Sequence, residues 1–201
     1  MVPPRVVRDR SRVGANAVML FLGAGMLAMF YLLTLYMQVV RGYSAVHTGL
    51  AYLPFVVGVG VASGGLGPRL LGAIPARIVI AAGMLLCVGG LAWYVAMLAG
   101  GTGTGLTFVG CTTTGMQGVA RRDSGVAAGL LNTSVQTGSA LGLGALAAIA
   151  SAVTRSRLPG HAVAAALTDG YVAGLLAGAV LLAVGAVVAV CTIRIAGRSA
   201  R

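Results

Sequence analysis

The sequence predicts an all-α integral membrane protein, a bundle of six transmembrane helices with both termini in the cytoplasm. Three observations carry that prediction. The first is composition. Of 201 residues, 58% are hydrophobic before 32 glycines are counted, and only 8% are charged, whereas a soluble domain is about 45–50% apolar and about 25% charged. No water-soluble fold of this length has interior enough to hide so much apolar surface. The second is the presence of six apolar runs near the roughly 20 residues that cross a hydrocarbon core of about 30 Å. The third is where the charges fall. There is no lysine and no glutamate, the acids are Asp9, Asp123 and Asp169, and the net charge is +11. No arginine or aspartate falls inside a predicted span. That is the distribution a bilayer imposes, because an arginine at its centre costs at least about 2.5 kcal/mol.

In chain order, helix A is Asn16–Val40 and helix B about Val46–Leu66, with Pro54 expected to kink it. Helix C is Ile78–Leu98, followed by a glycine-rich turn over Gly100–Gly105. Helix D, about Thr102–Ala120, is the span defined least firmly. Helix E is Ser124–Ala152, capped by Ser124 or Asp123. Helix F is Gly170–Ile193, capped by Thr168 or Asp169, where an acid also suits the helix dipole. Pro159-Gly160 marks the E–F loop. Residues 1–13 form an arginine-rich cytoplasmic segment, 14–193 the bundle and 194–201 a basic cytoplasmic tail. The first apolar run is too long for the core of a signal peptide and lacks an A-x-A cleavage pattern.

The connections sort by charge. Arg5, Arg8, Arg10 and Arg12, then Arg69 and Arg77, Arg121 and Arg122, and Arg194, Arg198 and Arg201 fall on one side; Arg41, Arg155 and Arg157 fall on the other. By the positive-inside rule the first side is cytoplasmic. Spread in this way, the arginines form no stripe of the kind that binds nucleic acid, so no nucleic-acid partner is expected. The partner they imply is the anionic inner leaflet of a cell membrane.

Polar residues are unevenly placed. Tyr31, Thr34 and Gln38 share one face of helix A. Thr113 and Gln117 are four apart on helix D, and Asn132 and Gln136 four apart on helix E. Helices C and F are nearly devoid of such groups. Helices A, D and E are therefore expected inside the bundle and C and F towards lipid. Two roles are open for these side chains: interhelical hydrogen bonds, or the lining of a solute path. The glycine pairs Gly125/Gly129, Gly138/Gly142 and Gly174/Gly178 fit close helix packing.

Other signals lead nowhere chemical. Cys87, Cys111 and Cys191 are dispersed in apolar runs and read as small buried hydrophobes. The dinucleotide-like run Gly142–Ala147 and the sequon Asn132-Thr133-Ser134 both fall mid-span, and His47 and His161 are single loop histidines. With no metal-ligand cluster, nucleophile elbow or carboxylate pair, neither an enzyme activity nor a metal or cofactor is expected.

Ser44–Leu50 and Ser124–Leu130 share the pattern S-[AG]-V-x-[TA]-G-L, each at the second helix of a three-helix group. One opens outside and the other inside, as a 3+3 inverted repeat requires. The stretches Phe30–Gln38, Gly42-Tyr43-Ser44 and Gly49–Pro54 resemble the first two helices of the C-terminal bundle of the fourteen-helix drug:proton antiporters, within the major facilitator superfamily. Ser124–Gly138 with Ala140-Leu141-Gly142 is similar to that family's penultimate helix, where G-L-x-N-T-x-x-Q-x-G recurs.

The resemblance implies a six-helix half of an exporter of drugs or antibiotics, multi-pass in a bacterial cell membrane. It also implies a central cavity lined by the first, second, fourth and fifth helices. Tyr31, Thr34, Gln38, Gln117, Asn132 and Gln136 are then the candidate contacts for a hydrophobic small molecule. The B–C segment Gly67–Arg77, with Arg69 and Arg77, resembles a degenerate copy of the superfamily's gating loop, Gly72 and Ala73 standing where an acid and a second base belong. The C–D connection is shorter than the family's, as a local deletion or a mis-joined reading frame would make it. The proton-titrating acid and intramembrane arginine of the family's N-terminal bundle have no counterpart in these spans. Proton antiport would then need an N-terminal half supplied separately or a second copy of the chain. The rival reading is a non-transporting membrane module, a remnant serving at most as a partner-binding scaffold.

Overall fold

The computed structural model describes residues 9–89 and 94–193, the side chains of 89, 94–100 and 122 excepted. Within them the chain is helical almost throughout and contains no strand, the arrangement by which a backbone satisfies its own hydrogen bonds in lipid. Helix α1 spans Arg10–Val40, its last turn, Tyr36–Val40, wound as a π-helix. It starts ahead of the expected Asn16 because Asp9 caps it, accepting the Ser11 N–H at 2.9 Å. Helix α2 runs from Ala45 to Ala73 in pieces: Ala45–Ala51, Leu53–Val61, a π-turn Ala62–Leu66, and Gly67–Ala73. Helices α3 (Ala76–Gly89), α4 (Tyr94–Met116), α5 (Ser124–Arg157) and α6 (Val163–Thr192) follow. Among the described residues, α1, α2, α5 and α6 are long and apolar enough to cross a membrane. Arg5, Arg8, Trp93 and the arginines of the 194–201 tail lie outside the described residues.

The break in α2 falls at Tyr52, two residues before Pro54, as the missing proline N–H predicts. Ser44 caps the first piece of α2, with the His47 N–H on its Oγ, so the repeat motif does open its helix. Other boundaries differ from expectation. Most of the presumed gating loop is the last helical piece of α2, with Arg69 exposed on it and Arg77 in the first turn of α3. The E–F connection is confined to residues 158–162 around Pro159-Gly160. Consequently Arg155 and Arg157 ride in the last turn of α5 and Asp169 lies inside α6 beyond its first turn, and Arg157 and Asp169 pair at 3.6 Å. Asp169 and Thr168 are thus not caps; Ala162 holds the N-cap position of α6. Asp123 does occupy the N-cap of α5, while the Ser124 hydroxyl bonds back to the Arg121 carbonyl.

The largest correction concerns Gly100–Gly105, expected as a turn and found inside α4. Their role is tertiary. Gly101 and Gly105 lie against Phe55, Val59 and Ala62 of α2, while Gly103 lies against Gly83 and Cys87 of α3. Thr107 returns its hydroxyl to the Gly103 carbonyl at 2.8 Å, and Thr104 Oγ1 sits 3.4 Å from Cys87 Sγ. Small residues spaced for two faces let one helix approach two neighbours closely. The described part of helix C is Ala76–Gly89, residues 94–98 expected in it belong to α4, and helix D, expected to be the uncertain span, is a 23-residue helix.

Helix α1 is the hub. It packs against α5 and α6, while α4 packs against α2 and α3, and α3 meets α6. The main core joins Val18, Met19 and Leu22 of α1 to Ile80 and Met84 of α3, Cys111 of α4, and Leu182 and Ala186 of α6. Helices C and F are thus not peripheral. Each buries one face, and α6 turns the other outward. Cys87 and Cys111 are buried as expected, but Cys191 is exposed. At one end of the bundle, Arg10 donates to the Cys191 carbonyl (3.1 Å) at the C-terminus of α6. Arg12 donates to the Gln117 carbonyl (2.9 Å) just past α4. Cations there meet the negative ends of two helix dipoles. Gly118, at φ +66°, takes the left-handed conformation that stops α4.

The glycine pairs separate clearly. Gly138 lies on the Leu20 backbone and Gly142 on Ala24, so α5 and α1 touch backbone to backbone. Gly174 lies on Leu32, Ala150 and Leu146, bringing α6 onto α1 and α5. Gly125 and Gly129 face open space and pack against nothing. We expect Gly138→Ala or Gly142→Ala to cost about 1–3 kcal/mol by forcing α5 off α1. Gly129→Ala, on the same helix, should stay within about 0.5 kcal/mol of wild type. Melting of the purified protein in detergent reads the difference.

Candidate functional site

The register of α5 on α1 decides where the polar residues sit. Ser134 Oγ donates to Asn16 Oδ1 (3.0 Å) and Ser139 Oγ to the Gly23 carbonyl (3.2 Å), so the two helices run parallel with an offset of 116 to 118 positions. Gln136 therefore lies level with Val18 of α1, and Tyr31 is 13 residues further along, about 20 Å at 1.5 Å per residue. The six candidates fall into two patches. Asn132 and Gln136 lie near the start of α1. Gln117 is at that same end, in the turn after α4 rather than inside a span, its carbonyl held by Arg12. Tyr31, Thr34 and Gln38 lie near the far end of α1, Gln38 within the π-turn. Single-point contact with all six is not available to one small molecule.

Exposure is the second decisive fact. Tyr31 is 46% exposed, Gln38, Gln117, Asn132 and Gln136 are exposed, and Thr34 is half-buried. No described side-chain hydrogen bond joins Gln38, Gln117, Asn132 or Gln136 to another helix. Interhelical bonding falls instead to Asn16–Ser134, to Ser139 with Gly23, and to a node between α1 and α2. There, Tyr52 Oη donates to the Phe30 carbonyl (3.1 Å) and lies 2.9 Å from Thr34 Oγ1. Asn16 was overlooked because it opens its run, and Tyr52 because it reads as an ordinary aromatic of a span. The signal for Tyr52 was its place at the helix break set by Pro54.

The outer surfaces of α6 and α5 differ in kind. On α6 the exposed residues are Val172, Leu176, Val180, Val184, Val187 and Val190, an aliphatic face suited to lipid. Towards its start the exposed face of α5 carries Asn132, Thr133, Gln136 and Thr137, and further along it carries Leu141 and Ile149. In hydrocarbon each unpartnered amide would cost several kcal/mol, so that face suits water or protein.

No family model matches the chain. It is 31% identical over 92% of its length to the puromycin resistance protein of Streptomyces alboniger, covering 40% of that protein. It is 32% identical over 77% of its length to the cephamycin export protein of Amycolatopsis lactamdurans, covering 35% of it. A third relative, from Mycobacterium tuberculosis and named as an MFS-type transporter, is 26% identical over 59% of the chain and covered over 25% of its own length. The chain is thus a homologue, over most of its length, of antibiotic-resistance and export proteins and, over a shorter stretch, of an MFS-type transporter. It spans less than half the length of these relatives, and its membrane-spanning helices are those of a multi-pass membrane protein. The exposure of these amides lets the two roles left open for them be separated. Asn132→Ala and Gln136→Ala should leave the amount and melting of membrane-inserted protein unchanged. Ser139→Ala and Asn16→Ala should each lower stability by about 0.6–2 kcal/mol, read by detergent melting.

Proposed function

We propose that this chain is the C-terminal six-helix half of an exporter of hydrophobic drugs or antibiotics, coupled to inward proton flow in the complete protein. The observation that carries the reading is the contrast between the aliphatic outer face of α6 and the exposed amides of α1 and α5. A bundle with one lipid face and one polar face is what a transporter half presents to a partner half across a wet cavity. The names of the relatives, which include antibiotic resistance and export, supply the class of cargo.

Packing supports a 3+3 inverted repeat: α1 packs on α5 and α6 as α4 packs on α2 and α3, the exchange that a pseudo-twofold between the two triplets makes. The Arg10 and Arg12 contacts support common sidedness, gathering the start of α1 and the ends of α4 and α6 at one place. With the parallel register of α5, that end also holds Asn132 and Gln136. It is the arginine-rich side, hence the cytoplasmic one on the positive-inside rule. Asp9 and Asp123 stand at helix starts and Asp169 is ion-paired with Arg157, so the proton carrier belongs to the partner half. That partner is an N-terminal half or a second copy of the chain. Tyr31, Thr34 and Gln38 face the outer part of the cavity; Asn132, Gln136 and, at the rim, Gln117 face the cytoplasmic part.

The test is to express the chain alone and together with the N-terminal half of a related exporter, and to follow efflux of a fluorescent hydrophobic drug. Efflux that appears on pairing and collapses with an uncoupler is the expected result. Normal membrane insertion with no efflux in any pairing would overturn the reading in favour of a non-transporting module.

A further inference from the structure

Helix α2 meets α1 differently from the way α5 and α6 do. Where α5 and α6 reach α1 through glycines, α2 reaches it through long side chains. Met37, Ala51 and Phe55 are buried against Met26, Met29, Phe30, Tyr43 and Tyr52. The rings interlock, with Phe30 to Tyr52 at 4.8 Å and Phe30 edge-on to Phe55 at 5.0 Å. This pad gathers four of the chain's eleven aromatic residues and three of its eight methionines, although the sequence as a whole is poor in aromatics. Methionine thioethers and aromatic faces make a soft surface that adapts to varied apolar shapes. Beside it stand the half-buried hydroxyls of Thr34 and Tyr52, with exposed Tyr31 one turn away.

The hydrogen-bond inventory of that pair is asymmetric. Tyr52 has one O–H, spent on the Phe30 carbonyl at 3.1 Å. The 2.9 Å contact with Thr34 then requires Thr34 to donate to Tyr52 Oη. Both donors are used. What remains is acceptor capacity: two lone pairs on Thr34 Oγ1 and one on Tyr52 Oη. Without Tyr52 the Thr34 hydroxyl would instead turn back on its own helix, to the carbonyl four residues earlier, which is again that of Phe30.

We propose that Thr34 and Tyr52 form a specificity node that selects aromatic or otherwise bulky apolar solutes bearing an N–H or O–H donor. Thr34 makes the contact and Tyr52 is its positioning residue. The proposal rests on the exporter reading and names the chemistry of the cargo at that site. The apolar body of the solute lies on the Met and aromatic pad, and its donor meets the unspent lone pairs. An analogue with every donor methylated leaves those lone pairs empty and loses that bond.

The experiment uses the full chain together with its N-terminal half, purified in detergent for equilibrium binding and reconstituted for efflux. The probes are an aromatic secondary amide and its N-methylated, donor-free counterpart. Wild type should prefer the donor-bearing probe by about 3- to 10-fold in half-saturation, with little change in maximal rate. Thr34→Val should lower that ratio and Thr34→Ser should restore it. Tyr52→Phe should also reduce it, and only the double variant Thr34→Val/Tyr52→Phe, which removes both acceptors, should bring it to about 1. Melting of each variant separates loss of selection from loss of fold. A wild-type ratio near 1, or a ratio unchanged in a folded Thr34→Val protein, overturns the node. Binding selectivity that tracks Thr34 in a protein that never transports either probe keeps the node and overturns the exporter reading.

Discussion

The backbone contact between α5 and α1 governs the rest of the structure. Gly138 and Gly142 place α5 directly on Leu20 and Ala24, a distance at which no larger side chain fits. That contact sets the register, and Ser134 on Asn16 and Ser139 on Gly23 confirm it with hydrogen bonds. In a bilayer there is no hydrophobic drive between helices, since lipid chains are as apolar as leucine, so close packing and such bonds must hold them. Once α5 lies in this register, its amides stand at one end of the bundle and the polar face of α1 at the other. The Gly174 contact then brings α6 onto the same hub.

The second organising fact is that the bundle is apolar inside and yet carries polar groups on faces that a bilayer would leave in hydrocarbon. The deepest positions include Ala15, Val18, Ala28, Ile80, Met84 and Cys111, with Thr107 as a buried hydroxyl bonded to its own helix. The amides stand outside, on faces that a lipid tail does not suit. Polarity along the sequence therefore marked helices with something to face, whether or not they lie at the centre as α1 does. That explains why helices C and F, poor in polar groups, still supply Ile80, Met84, Leu182 and Ala186 to the main core. Each apolar helix has two apolar faces, one for neighbours and one for lipid, and composition does not distinguish them.

Glycine shows the same ambiguity more sharply. Gly100–Gly105 reads as a turn because glycine frees the backbone, yet in α4 the run serves contacts with α2 and α3. Gly129 and Gly138 are indistinguishable by spacing, and one faces open space while the other carries a helix crossing. Proline is less ambiguous. Pro54 has no N–H in any setting, so the break in α2 is legible from the chain, and Pro159-Gly160 marks its loop just as plainly. What Pro54 does not reveal is that the break leaves Tyr52 bonded to Phe30 and Thr34.

By itself the sequence determined that the chain is helical and membrane-embedded, where its arginines fall, and that Tyr31, Thr34 and Gln38 share a face. Those follow from the cost of charge in hydrocarbon and from the helical period, both local properties. Tertiary structure alone decided which glycines touch, which polar groups bond between helices, and that the candidate contacts divide into two patches about 20 Å apart. Those depend on the crossing and register of helices distant in sequence, where a few tenths of an ångström of side-chain volume choose between contact and open space.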